Sequence, residues 1–109
     1  MSHDGLPPGV DVEQVWVLEA TYVPDGAVAR APFRAEHLGR IARLVREGTV
    51  IEAGAYLDLS SSIVLIRADS EEAALAIARQ DPYVREGVWV ELRVRPFGRV
   101  VVDGGGTAR

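Results

Sequence analysis

Along this chain the hydrophobic period alternates between two residues and about 3.6, in an order that few folds accept. The stretch "VEQVWVLEATYV" is rich in β-branched and aromatic residues and reads as a strand from Val12 to Tyr22. Trp16, Leu18, Ala20 and Tyr22 share one of its faces; Val15, Val17, Glu19 and Thr21 share the other. "PDGAVARAP" follows as turn and loop. From Pro32 to Glu47 the pattern is helical, with Leu38, Ile41, Ala42 and Val45 at i, i+3, i+4 and i+7. Pro32 suits the first turn and Gly48 the position past the end. Glu36 with Arg40, and Arg43 with Glu47, are spaced as ion pairs on the outer side.

"TVIEAGAYL" and "SSIVLIRA" then read as two strands joined near Asp58 to Ser61. Ser70 to Gln80 is a second helix, capped by Asp69 or Ser70, with Glu71 and Glu72 in its first turn. "VWVELRVRP" is the fourth strand. Val88, Val90, Leu92 and Val94 are expected on one face; Trp89, Glu91, Arg93 and Arg95 on the other.

The order is β-α-β-β-α-β, and 109 residues make one domain. The expected fold class is α+β: the ferredoxin-like arrangement, with two helices on one face of a four-stranded antiparallel sheet. The domain spans 12–101, between a loose lead at 1–11 and a fraying tail at 102–109. The helices cover only one sheet face. The other is expected to mix Val15, Val17, Trp89, Val64 and Ile66 with Glu19, Glu91 and Arg93. That is too apolar to leave bare, so a homodimer packing sheet against sheet is expected.

Composition removes whole classes of chemistry. Without cysteine there is no disulfide, thiolate nucleophile or cysteine metal site. All 12 basic residues are arginine, so a Schiff base and a P-loop lysine are excluded. A net charge of -4 argues against a nucleic-acid partner. No apolar run is long enough to span a membrane, and Met1 to Asp11 lacks the regions of a signal peptide. The expected location is cytoplasmic. "GGG" at 104–106 leads into no helix and is not a phosphate loop, and "SSS" at 60–62 is no nucleophile elbow. His3 and His37 lack metal-ligand spacing.

On a helical wheel Leu38, Ile41, Leu44 and Val45 fill an arc of roughly 120°. Glu36, Gly39, Arg40, Arg43, Arg46 and Glu47 fall outside it, but Arg34 and His37 fall inside. A cation at a helix N-terminus is unfavourable, and burying it unpartnered is costly. The site is therefore the open rim of the core, or it holds something anionic. Plainer readings stand beside this one: a rim histidine covering apolar surface, and an arginine snorkelling to solvent. Asp81 poses a related problem, because a carboxylate is unwelcome at a helix C-terminus. Asp81-Pro82-Tyr83-Val84-Arg85-Glu86-Gly87 resolves it as a short helical turn of its own, with Asp81 as N-cap and Gly87 as stop. Tyr83 is expected to pack rather than react. The two main helices run in similar directions on the sheet. Asp81 therefore meets the start of the first only if the chain after it folds back.

These residues carry a resemblance. Arg34-x-x-His37, the helix ending in Gly48, the strand ending near Ala53-Gly54, Asp81-Pro82-Tyr83 with Gly87, and the strand ending Arg95-Pro96-Phe97 follow in order. The chain resembles the YCII-like family over roughly residues 13–101. The resemblance implies the ferredoxin-like fold of the dimeric α+β barrel superfamily and a catalytic pair, His37 and Asp81, with Arg34 beside them. Gly54, Tyr56 and Tyr83 would join Arg34 in binding substrate. Many relatives have Gly-Pro where this chain has Gly54-Ala55-Tyr56, so Tyr56 is expected to reshape the pocket. The expected function is cofactor-independent proton transfer, by an isomerase or lyase, on a small anionic or phenolic metabolite, with His37 as general base. The rival is a ligand-binding or regulatory module in which Arg34 and His37 simply hold an anion, and a third reading is a structural dimer with no pocket.

Overall fold

The computed structural model describes residues 5–103. Strands β1 (Val10–Tyr22), β2 (Val50–Ala55), β3 (Ser61–Ile66) and β4 (Trp89–Val102) form one antiparallel sheet in the order β2-β3-β1-β4. Helices α1 (Gly26–Arg30) and α2 (Arg34–Arg46) follow β1, joined by a 3-10 turn at Ala31–Phe33. Helices α3 (Glu71–Arg79) and α4 (Pro82–Arg85) lie between β3 and β4. This is the expected α+β, ferredoxin-like fold, with α2 over β2 and α3 over β1 and β4. The stretch read as loop after β1 contains α1.

Leu18, Ala20, Tyr22, Leu44, Val50, Val64, Ile66, Ala74 and Ala78 form the core between sheet and helices. Val64 and Ile66 pair with Leu18 and Trp16 and so face the helices, not the open side as expected. Ile63 and Leu65 replace them on the open face, opposite Glu19 and Val17. The expectation failed because β3 is apolar on both faces, so its alternation gives no direction.

The first and last strands run further than expected. Val10 pairs with Val102, so β1 begins within the expected lead and β4 enters the expected tail. Pro96 had marked the strand's end, yet β4 is an edge strand, where a missing N–H breaks no ladder. The ribbon leaves Val12, Phe97, Val100 and Val102 about half exposed or more. His3 and Gly104 to Gly106 lie outside the described residues.

A β-bulge changes the end of β4 nearest the helices. The register shifts between Thr21, opposite Glu91, and Tyr22, opposite Trp89. One extra residue reverses the alternation. Trp89 therefore turns into the core, 4 % exposed, while Val90 turns out at 58 %. Both had been expected on the opposite faces.

Candidate active site

Three local structures bring the chemistry together. The first is the end of α3. Its N-cap is Ser70, whose side chain accepts from Ala73 N–H, and its last residue is Arg79. Asp81 then adopts an extended backbone and caps α4, its Oδ1 accepting from Tyr83 N–H at 2.9 Å, with Pro82 as the first helical residue. Gly87 closes the turn at φ +73°, a conformation side chains resist. The chain thus folds back after Asp81, and Arg85 reaches Glu36 of α2 at 3.0 Å.

The second is the inward face of α2. Its inward stripe is buried His37 and Leu44 with half-buried Arg40 and Ile41, while Leu38 and Val45 stay about 45 % exposed. The stripe expected from sequence was turned by about one residue. The cause is Arg40, which was expected outside and paired with Glu36. Instead one Arg40 nitrogen donates to the Ile77 carbonyl at 2.6 Å and the other to Asp81 Oδ2 at 3.3 Å. Ile77 belongs to the last turn of α3, where carbonyls lack helical partners and a cation is favoured. Arg43 and Glu47 do pair as expected, at 3.2 Å.

The third is the pair itself. His37 Nδ1 lies 2.8 Å from Asp81 Oδ1 and 2.9 Å from Oδ2. A carboxylate only accepts, so Nδ1 carries the proton and Nε2 is left as the basic nitrogen. Asp81 is 1 % exposed and His37 7 %. The carboxylate accepts from His37, Arg40 and the Tyr83 amide, and this satisfies a charge that burial would otherwise penalise. The His37 ring stacks on Tyr83, centroids 3.8 Å apart and 8° from parallel, and Trp89 meets it edge-on at 5.3 Å. These contacts fix the imidazole plane.

A partly open cavity of about 180 Å³ lies against this ring, enough for one six-membered ring. Arg34, His37, Gly54, Tyr83, Tyr22, Ser62 and Trp89 are among its lining residues. Ser62 Oγ donates to Tyr22 Oη at 3.1 Å. Burial pushes the Tyr83 phenol above its ordinary pKa, while Arg30 and Arg34 pull the other way, so Tyr83 is a donor and not a base. Arg34 sits exposed at the mouth and does not touch Asp81; Arg40 takes that place. Tyr56 does not line this cavity. It is 54 % exposed and borders a shallow groove with Ile63 and Leu65 on the other side of β2. Sequence reasoning missed Arg30, Arg40 and Trp89. Only Trp89 carried a signal, as an aromatic among charges on its expected face. The described residues gather no group of three or more His, Asp or Glu placed to hold a metal ion.

The YCII-related domain model matches residues 15–98, which holds every side chain just described. This chain belongs to the YCII-related domain family. An uncharacterised protein of Haemophilus influenzae is 30% identical over 95 residues, 78% of this chain and 97% of its own length. Protein YciI of Escherichia coli is 33% identical over 96 residues, 79% and 98%. Among solved structures, the 5-chloro-2-hydroxyhydroquinone dehydrochlorinase of Burkholderia phenoliruptrix, in complex with 2,5-dihydroxybenzoquinone, superposes with a TM-score of 0.67. The match covers 76% of this chain and 92% of that one at 17% identity, and it establishes the shared fold. No helix among the described residues is long and apolar enough to cross a membrane.

Proposed function

We propose that this member of the YCII-related family is a cofactor-independent proton-transfer enzyme, an isomerase or lyase for a small anionic or phenolic metabolite. The observation that carries the reading is the bidentate approach of His37 Nδ1 to the buried Asp81 carboxylate beside a ring-sized cavity. Such an arrangement leaves Nε2 as a general base of fixed tautomer and orientation. Nε2 takes a proton from a carbon next to a carbonyl, and the electron pair moves onto the carbonyl oxygen. Asp81 stabilises the imidazolium, and Arg34 faces the enolate charge. Return of the proton to another carbon gives isomerisation; loss of an anionic group from the neighbouring carbon gives elimination. The fold neighbour's printed activity, a dehydrochlorination, is of the second type.

The active form we propose is a homodimer through the sheet face. Half-exposed Phe97, with partly buried Val17, Ile63 and Leu65 on the same open face of the sheet, supports a second copy as the cover. The reading is tested by turnover of chlorinated hydroxyhydroquinones and small unsaturated lactones by wild type and His37→Gln. Wild-type turnover that the variant lowers by about 10²-fold or more is expected. A variant retaining the full rate overturns the assignment of the base.

A further inference from the structure

Half of the twelve arginines are held in ion pairs. Arg40, Arg43, Arg67, Arg85, Arg93 and Arg99 each pair with a carboxylate. Arg30 and Arg34 have no such partner among the described residues, and both line the same cavity. No Asp or Glu lines it, although acids outnumber bases 16 to 12 in the chain. Two like charges at one mouth are unfavourable unless an anion comes between them.

Local structure holds Arg30 in place. Gly26 opens α1, and a Cβ there would stand 3.0 Å from the Tyr22 ring, so glycine lets the helix settle onto the cavity wall. Arg30 ends α1, and the 3-10 turn carries the chain directly into Arg34. Deeper in, Tyr83 Oη and Trp89 Nε1 are buried and have no hydrogen-bond partner. Orphaned buried polar groups are rare and call for an acceptor. The cavity therefore offers cations at its mouth, with His37 Nε2 as its base.

Resting on the proposed role of this cavity, we infer that Arg30 acts with Arg34 as an anion clamp that determines specificity. The ligand is then a small ring or enol acid with a negative charge at its outer end. Amines and uncharged rings of the same size are rejected.

Calorimetric titration at pH 7 with benzoate and 2,5-dihydroxybenzoquinone, against uncharged benzamide and hydroquinone kept anaerobic, tests this directly. The two anions are expected to bind wild type more tightly than the uncharged probes. Arg30→Gln weakens anion binding about tenfold or more, Arg30→Lys recovers part of the loss, and Arg46→Gln, outside the cavity, changes nothing. Equal affinity of wild type and Arg30→Gln for the anions, no preference for anions over uncharged probes, or no binding at millimolar concentration overturns the inference. His37→Gln separates it from the proposed chemistry. That variant should still bind the anions while losing turnover, so a failed clamp leaves the base standing, and a failed base leaves the clamp.

Discussion

The imidazole of His37 lies flat on the phenol of Tyr83, 3.8 Å between ring centres, and both residues are held by Asp81. The aspartate takes the histidine's Nδ1–H through its carboxylate and the tyrosine's backbone N–H through Oδ1. Capping a helical turn and orienting an imidazole are thus one act of one side chain. Asp81→Ala should destabilise the fold by about 3–5 kcal/mol, because it strands Arg40 and His37 and uncaps α4 together. Urea unfolding measures this. A loss below about 1 kcal/mol would mean the carboxylate only caps.

Arg40 and Arg43 differ sharply despite adjacent places on α2. Arg40 is 13 % exposed and closes the end of α3; Arg43 is 56 % exposed in a solvent-screened pair. Arg40→Gln should cost about 2–4 kcal/mol, and Arg43→Gln under about 0.5 kcal/mol. Equal losses in thermal or urea unfolding would contradict the inward placement of Arg40.

The Tyr83 hydroxyl is buried without a partner, so Tyr83→Phe should leave stability unchanged or raise it, by up to about 1 kcal/mol. Any loss should fall on ligand affinity. Alkali gives a second readout. Because the folded pKa is raised above 10.0, the phenol's contribution is present below about pH 10 and is lost as pH rises through the folded value. The phenylalanine variant should unfold at a higher pH in an alkaline titration followed by circular dichroism.

Acid acts through Glu13. Its carboxylate accepts from Arg67 at 2.7 Å and Arg99 at 2.9 Å, and the Arg67 hydrogen bond chiefly holds it below 4.5. A depressed carboxylate stabilises the fold above its unfolded pKa and loses that contribution as pH falls through the folded one. The stability gap between wild type and Glu13→Gln should be constant above about pH 5 and close below it. Solvent screening keeps it under about 1 kcal/mol.

Sedimentation equilibrium tests the proposed homodimer. Wild type should run as a dimer at micromolar concentration, and a Phe97→Asp, Leu65→Asp double variant, both positions on the open face, as a folded monomer. A wild-type monomer would refute it.

How far the sequence carried the fold and site depended on whether one residue had one duty. The strand and helix order was legible because most positions are simply apolar or polar. His37 and Arg34 stood out as polar groups on a greasy arc, and the Asp-Pro-Tyr capping turn could be read from its residues. Arg40 could not, since a charged residue on the buried side of a helix looks like a solvated one until its partner's position is known. Tyr56 was misplaced because a strand's end does not fix which face the next side chain takes. Arg30 was hidden in a segment too short to show a period.

The bulge beside Tyr22 works as a parity switch. Flatten it with no residue lost, so that Val90 falls opposite Tyr22, and the regular ladder would send the indole to solvent and hand its place in the cavity wall to a neighbour with no N–H to offer. A slip of one residue in register, with every catalytic candidate untouched, would then empty the recess that the ring of His37 leans on. Length at that one point of the strand is as much a part of the recess as any side chain.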